Sequence, residues 1–230
     1  MAIGIACALV GLVSGCGESN DGAAARSKDS TTTPSTSAST TSTTATASMS
    51  TIGVVETTRK PLEPKAKTCD PLPLGPAAGT QHVSFVQGGS PGTPIVDIVA
   101  RDTWKFAVAQ GNPVMAGTGP DGLTGSLTVT PTDLGPAEAF DKYADDIAKK
   151  APISAINLRP AELCGYSGQE LFGTLSGGAE PPVEFSDRIA HIWTNTATYL
   201  AAIHVQGPKD APGFDVAKDT MMSDFAVVIP

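Results

Sequence analysis

The clearest hydrophobic pattern in the chain is an apolar repeat of about 3.6 residues, which predicts an amphipathic helix at residues 136–150. Its apolar stripe consists of Phe140, Tyr143, Ala144 and Ile147. Pro136 suits the first helical turn, where a missing N–H costs nothing. Lys149 and Lys150 lie at the negative end of the helix dipole, and Pro152 prevents its continuation. The pattern therefore fixes the position and the buried face of this helix.

Apolar and alternating runs bounded by Gly, Pro or Asn predict strands on both sides of the helix. The predicted strands are 94–100, 103–108, 112–116, 126–130, 169–175, 183–194, 197–206 and 225–229. We expect the first two to pair across a turn, and the next two to pair across the glycine-rich loop 117–125. Both alternating rows of 197–206 carry apolar residues, which indicates a central strand covered on both faces. A second helix is predicted at 212–223.

Antiparallel strands with two amphipathic helices predict one α+β domain, an antiparallel sheet flanked by helices, at residues 69–230. The preceding part of the chain has a different composition. Residues 30–51 are almost entirely Ser and Thr, and residues 60–76 are rich in Pro. Because such a segment has little apolar surface to bury, we expect a disordered tether at 30–68. Tracts of this kind are often O-glycosylated after export.

The first residues have the pattern of an export signal. Residues 3–13 form an apolar run too short to span a bilayer and typical of a signal-peptide core. Residues 1–6 lack the usual basic residue, which indicates a start further upstream or a shortened form. The run ends in Val13-Ser14-Gly15-Cys16, which resembles the bacterial lipobox. We therefore expect a signal peptide at 1–15 and a lipidated N-terminus at 16–29.

Lipidation at Cys16 predicts a stable anchor, because two or more acyl chains such as palmitate bury enough methylene groups. The protein is then expected on the outer face of the cell membrane, in the cell envelope. The alternative is an ordinary secretory signal with an incidental cysteine, although its usual A-x-A ending is absent.

The remaining cysteines agree with an exported protein. Cys7 lies in the predicted signal peptide, which leaves Cys69 and Cys164 in the mature domain. Two cysteines in an exported domain most simply form one disulfide. They could instead be free and buried.

Composition limits the classes of partner and chemistry. The net charge of −8 disfavours nucleic acid. His82, His191 and His204 are not at metal-ligand spacing, so no metal site and no cofactor are predicted. Residues 165–168 lack the last glycine of G-x-S-x-G, and the strand predicted after them does not fit a nucleophile elbow. Asp145 and Asp146 have the pattern of a solvated helix face. We therefore expect no enzyme and no catalytic residue.

Two functions outside catalysis remain. The first is a binding module for an envelope lipid or another amphiphile, with small residues leaving space beside the larger core side chains. The small residues are Ala190, Ala201 and Ala202, and the large ones are Trp104, Phe140, Phe172 and Trp193. The second is an adaptor on a tether that contacts envelope or host proteins. The ligand-binding residues are not identified by the sequence, and a monomer is expected.

The chain resembles the mycobacterial LpqN/LpqT lipoprotein family. The resemblance covers residues 93–229 and rests on the order of the lipobox, the Ser/Thr tract and several short motifs. These are PIVDI with Asp97, Trp104 soon after it, GPAEAFDKY, LCGYSGQELFG with Gly165 and Tyr166, and the terminal FAVVI. The missing basic start and the cysteine pair depart from the family. The resemblance implies a PsbP-like α/β/α sandwich and an envelope protein, and it assigns no catalytic residue.

Overall fold

Two antiparallel sheets and two helices form the part of the chain that the computed structural model describes, residues 51–56, 59–71, 77–85, 92–108 and 114–230. Residues 1–50, which include Cys16 and most of the predicted tether, lie outside the described residues. The strands are β1 (Lys67–Cys69), β2 (Thr80–Phe85), β3 (Ile95–Arg101), β4 (Lys105–Val108), β5 (Val114–Thr118), β6 (Thr124–Pro131), β7 (Ile153–Pro160), β8 (Ser167–Ser176), β9 (Val183–Trp193), β10 (Thr198–Pro208) and β11 (Ala226–Val228). The helices are α1 (Pro136–Ala148) and α2 (Phe214–Met221), and a 3₁₀ turn occupies Pro120–Gly122.

The larger sheet has the strand order β4-β5-β6-β10-β9-β8-β7. Its long central hairpin pairs β9 with β10 from Trp193–Thr198 to Val183–Pro208. Both faces of β10 are apolar, and both are covered, as the sequence predicts. The smaller sheet has the order β1-β11-β3-β2. Every neighbouring pair in the two sheets is antiparallel.

Each face of the larger sheet is covered by a helix, which confirms the predicted α+β class. Helix α1 packs through Phe140 and Ile147 on one face, and these side chains join a cluster that includes Leu171, Phe185 and Ile189. On the other face, α2 contacts both β10 and, in the smaller sheet, β3. Their common core includes Phe85, Ile98, Leu127, Ile203, Phe214 and Phe225. Burial of these two clusters is the main favourable term in holding the layers together.

The predicted pairing of 94–100 with 103–108 is wrong. Strand β3 pairs with β2 and β11 in the smaller sheet, whereas β4 pairs with β5 in the larger one. The chain changes sheets at Trp104, which is 3% exposed and packs in the core between them. Because the Trp104 side chain at the predicted turn is buried, the chain passes there from the smaller sheet to the larger one. The two strands are therefore not neighbours.

The glycines at 117–125 make room for the Trp104 ring. Gly117 and Gly125 were predicted in a loop, yet they lie opposite each other in β5 and β6. A Cβ atom on Gly119 would lie 2.6 Å from Trp104 Cε2, and one on Gly125 would lie 3.1 Å from Trp104 Cζ3. Larger residues at these positions would therefore displace the indole ring.

A segment that the sequence assigned to the tether is instead part of the fold. We call residues 51–56 and 59–69 the strap. Its start is bound along β8: Gly168 N donates to Gly53 O (2.9 Å), Gln169 Nε2 to Ile52 O (2.7 Å) and Val55 N to Ser167 Oγ (3.0 Å). Val54 and Leu62 pack against the two apolar clusters. The folded domain therefore includes residues before the predicted boundary at residue 69, because Val54 and Leu62 pack against its apolar clusters.

The disulfide joins the end of the strap to the turn before β8. Cys69 and Cys164 are bonded, with their Cα atoms 5.5 Å apart and 95 positions apart in sequence. Cys69 is 2% exposed. The predicted cysteine pairing is present, and it secures the strap at its far end.

Candidate binding trough beside helix α1

Helix α1 covers one half of its sheet face and leaves the other half open. It contacts β7, β8 and β9, and the same face of β10 and β6 continues beyond the helix. Between α1 and these two strands is a cavity of about 250 Å³, which we call the N-terminal cavity. It is lined by Thr128, Thr130, Pro131, Thr132, Leu134, Ala139, Lys142, Tyr143, Asp146, Leu200 and Ala202.

The period of two residues along a strand gives this cavity a mixed lining. Leu200 and Ala202 of β10 form an apolar floor, and the hydroxyls of Thr128 and Thr130 on β6 follow beside it. On the helix, Lys142 Nζ lies 2.6 Å from Asp146 Oδ2. Hydrogen bonds from Lys142 and Lys149 lower the pKa of Asp146, so its carboxylate is charged at neutral pH.

A second cavity of about 360 Å³ lies at the other end of α1, and we call it the C-terminal cavity. It is lined by Lys150, Ala151, Pro152, Leu175, Ser176, Gly178, Glu180, Val183 and Gln206. Gln206 belongs to the row of β10 residues that also supplies Leu200 and Ala202 to the first cavity, because alternate residues share a face. We call the two cavities, together with the row of β10 residues that contributes to both, the trough beside α1.

A chain of hydrogen bonds connects the linings of the two cavities. Tyr143 OH donates to Asp187 Oδ1 at 2.8 Å, and His204 Nδ1 lies 2.6 Å from the same oxygen. His204 Nε2 is 3.0 Å from Gln206 Oε1. The Asp187 side chain is fully buried, and its Oδ2 has no hydrogen-bond partner among the described residues. Such a buried carboxylate is costly unless donors surround it.

Strand register explains how residues from three strands converge here. Asp187 is directly opposite His204 across β9 and β10, and Ser126 of β6 is opposite His204 on its other side. Side chains at such positions have Cβ atoms about 4.5–5.5 Å apart. The His204 ring also stacks on Phe185, with centroids 6.4 Å apart. His204 therefore has a fixed orientation, with Nε2 directed along the trough toward Gln206.

Tyr143 connects α1 to the sheet, and its removal gives a testable result. We expect Tyr143→Phe to lower the free energy of unfolding by about 1–2 kcal/mol at pH 7, because Asp187 loses a donor. Burial, and then the Asp187 charge, raise the pKa of Tyr143 well above its ordinary value of 10.0. Above pH 10 the unfolded chain loses this proton while the native one keeps it, so the contribution of Tyr143 to stability declines.

Urea unfolding of wild type and Tyr143→Phe at pH 7 and at about pH 11 measures both effects. The difference between the two proteins is expected to shrink at the higher pH, while contributions of other tyrosines and lysines cancel between them. An equal difference at both pH values would show that the phenol is not held by the buried carboxylate.

The three histidines singled out from the sequence do not form one site. His204 lies in the trough, and His82 is exposed on β2 in the smaller sheet. His191 lies on β9 with Nε2 3.0 Å from Leu134 O, and burial lowers its pKa. The residues that the structure describes include no group of three His, Cys, Asp or Glu side chains able to hold a metal ion.

The other sequence candidates hold the fold together. Tyr166 OH donates to Thr68 Oγ1 at 2.8 Å, and Ser167 Oγ accepts from Val55 N. The segment 165–168 thus binds the strap and leads into β8, which begins at Ser167, two residues before the predicted start of the strand. Of the three alanines expected to leave space, Ala202 lines the N-terminal cavity. Ala190 and Ala201 are fully buried in the core under α2.

Among the described residues, no helix has the length and apolarity needed to cross a membrane. No protein-family model and no curated protein matches the chain. A solved structure does: the crystal structure of LpqN, a protein involved in cell envelope biogenesis of Mycobacterium tuberculosis. The two share 17% sequence identity with a TM-score of 0.50, over 65% of this chain and 91% of that one. This likeness establishes a shared fold and a distant structural relationship.

Proposed function

We propose that the protein is a lipid-anchored component of the cell envelope that binds an amphiphile, without catalysing a reaction, in the trough beside α1. The observation that carries the proposal is the N-terminal cavity, with its apolar floor and hydroxyl-bearing rim. The anchor rests on the lipobox ending in Cys16. The envelope role of LpqN, a protein of the same fold, supports the location.

The lining of the trough favours an alkyl segment. Leu200 and Ala202 offer apolar surface on the sheet, and Ala139 and Leu134 extend it toward the start of α1. Removing apolar surface from water contributes about 25 cal/mol per Å², so even a short chain gains from this floor. The C-terminal cavity, of about 360 Å³, falls within the roughly 300–1,000 Å³ typical of ligand sites, and the N-terminal cavity, of about 250 Å³, is slightly smaller. One side of the trough is open, so a ligand head group can stay hydrated.

The charges around the N-terminal cavity favour a neutral head group. Lys142 is paired with Asp146, and Lys149 lies 3.3 Å from the same carboxylate. An anionic ligand would have to break this pairing beside a protein of net charge −8. Hydroxyls of Thr128, Thr130 and Thr132 can donate to or accept from an uncharged polar group.

Filling the cavity with a protein side chain tests the proposal. Thr130 is exposed on β6 and lines the cavity, so Thr130→Trp is expected to cover the floor while keeping a residue suited to a strand. We expect it to lower affinity for a single-chain probe, dodecanol, at least tenfold. The measurement is native mass spectrometry of the full chain carrying Cys16→Ala, so that its own acyl chains do not compete.

Thr118→Trp is the matched control. Thr118 is an exposed threonine on β5, on the same sheet face and outside both cavity linings. Its replacement should leave dodecanol binding unchanged. Equal dodecanol binding by the parent protein, Thr130→Trp and Thr118→Trp would show that the probe binds outside the N-terminal cavity. No binding by any of the three would contradict the amphiphile proposal. The adaptor function would then be tested by crosslinking in the envelope.

A further inference from the structure

The outer edge of β7 is the least protected strand edge in the described part of the structure. β7 is the last strand of the larger sheet and has eight residues. The edge strands β1, β2 and β4 have three, six and four residues, and the two shortest carry Lys67 and Lys105. Short length and lysine side chains keep a strand edge from pairing with another chain. β7 contains no lysine, and its proline is its last residue.

One hydrogen bond at the end of β7 shows which way its backbone groups point. Ala161 N donates to Gly168 O at 2.9 Å, and this pair continues the β7–β8 register, which has no shift. Opposite residues in antiparallel strands alternate between pairs that bond to each other and pairs that do not. The N–H and C=O groups that point away from β8, toward the open edge, therefore belong to Ser154, Ile156 and Leu158.

The strap leaves this edge open. Its hydrogen bonds go to residues 167–169 of β8, whereas the three outward-pointing residues are opposite residues 171–175. Among the described residues, no hydrogen bond outside the β7–β8 pair involves these three backbone positions. Unpaired backbone groups in a row are a template for another extended chain.

We propose that β7 pairs antiparallel with β7 of a second copy of this chain, with Ile156 opposite its own counterpart on a two-fold axis. The larger sheet then continues from one copy into the other. In this register Ser154 is opposite Leu158 of the second copy. Each of these opposite pairs exchanges two hydrogen bonds, so every outward-pointing group finds a partner. The proposal is independent of any ligand in the trough.

The side chains of β7 suit this pairing on both faces of the sheet. Ile156 and Leu158 pack against the cluster under α1, and the pairing places Ile156 beside its counterpart. Pairs of β-branched residues are favourable at such positions. On the other face Ile153, which is 61% exposed, comes opposite Arg159 of the second copy. The aliphatic part of an arginine can cover an apolar neighbour while its charged group stays in water.

The charges on β7 also favour a second copy. Arg159 is the one charged residue of the strand, and its guanidinium is held by Glu170 at 2.7 and 2.9 Å. The two Arg159 residues would lie about 20 Å apart along the strands, so they do not oppose each other. The net charge of −8 on each copy opposes association over longer distances. The measurement is therefore made at high salt, which screens this repulsion.

Sedimentation velocity over a range of protein concentrations tests the pairing. The protein is the full chain carrying Cys7→Ala and Cys16→Ala, which leaves no cysteine outside the disulfide. We expect a monomer–dimer equilibrium with a dissociation constant on the order of 10 µM, as for a small transient interface.

Ser154→Pro removes an outward N–H and keeps the bonds of β7 to β8, so it should weaken the dimer at least tenfold. Ser154→Ala is the matched control, because it changes the same exposed side chain and keeps the N–H. It should dimerise like the parent protein. Equal urea midpoints of the two variants would show that the proline acts on the edge and not on folding.

A cysteine pair tests the register without proline. In the proposed dimer the two copies of Ile156 have Cα atoms about 5.5 Å apart, which suits a disulfide. Ala155 is opposite Asn157 of the second copy, so its two copies are about 7–8 Å apart and too distant to bond. After mild oxidation, Ile156→Cys should give at least tenfold more covalent dimer than Ala155→Cys. Random collisions would favour Ala155→Cys, because that position is the more exposed one.

Three outcomes would overturn the proposal. A monomer at every concentration would show that β7 does not pair with a second copy. A dimer that Ser154→Pro leaves as tight as in the parent protein would be formed through another surface. More covalent dimer from Ala155→Cys than from Ile156→Cys would contradict the register centred on Ile156. None of these results bears on dodecanol binding, because the altered residues line neither cavity.

Discussion

Replacing both Cys69 and Cys164 by alanine is expected to lower the free energy of unfolding by about 2–4 kcal/mol. The disulfide closes a loop between cysteines 95 positions apart, and the chain-entropy model assigns a loop of about this length roughly 4–5 kcal/mol. Measured values fall below this model when the unfolded chain retains structure. For a domain of this size, the loss is a large fraction of the total stability.

Urea unfolding of the wild type and of the double variant measures this loss at neutral pH. The wild-type protein treated with a thiol reductant serves as the control, because it breaks the same bond without changing either residue. Both should show a similarly lower transition midpoint. A shift below about 0.5 kcal/mol in the double variant would mean that the non-covalent contacts of the strap already hold residues 51–69 in place.

Replacing Cys16 by alanine is expected to move the protein from the membrane fraction to the soluble fraction. Without the thiol no diacylglyceryl group can be attached, and among the described residues no helix could insert in its place. Stable membrane binding requires about two acyl chains, so the loss should be nearly complete. Fractionation of cells expressing each form, followed by immunoblotting, measures the distribution.

Cys7 provides a matched control for this experiment. It lies within the predicted signal core, and Cys7→Ala keeps that core apolar. This variant should remain in the membrane fraction. A Cys16→Ala protein that stays in the membrane fraction with its signal removed would contradict the lipid anchor, and the incidental-cysteine alternative would then be preferred.

The sequence predicted a helix or strand correctly where a single periodic pattern of apolar residues defines that element. The stripe from Phe140 to Ile147 and the proline at 136 predicted α1 to within two residues of its observed end at Ala148. The two apolar rows of β10 predicted a central strand. Strand β7 was missed because it lies at the edge of the sheet, where most of its side chains are exposed and show no apolar alternation.

Other features depend on contacts that no local pattern contains. Trp104 separates β3 from β4 by entering the core, whereas a short polar turn between two strands ordinarily predicts a hairpin. The strap was assigned to the tether because Pro and polar residues dominate its composition. Its attachment depends on β8, more than a hundred positions away in sequence.

Part of the candidate site could be predicted from the sequence. If the residues between β9 and β10 are taken as a hairpin turn, the register pairs Asp187 with His204 and puts both on one face. A Ser-Asp-Arg run inside a long strand with apolar residues on both sides is a signal of buried polar partners. The Tyr143 hydroxyl could not be assigned, because its contact with Asp187 depends on how α1 packs across the sheet.

The strap also decides how mechanical tension would enter the domain. If the protein is anchored through Cys16 and holds a ligand at the trough, as proposed, a pull on the anchor meets the hydrogen bonds between residues 52–55 and β8 before it reaches Cys69. If these yield, the chain as far as Cys69 can extend by at most about 60 Å before the disulfide becomes taut. The disulfide then passes part of the force to Cys164 and the turn before β8, so the load is shared between β1 in the smaller sheet and β8 in the larger one.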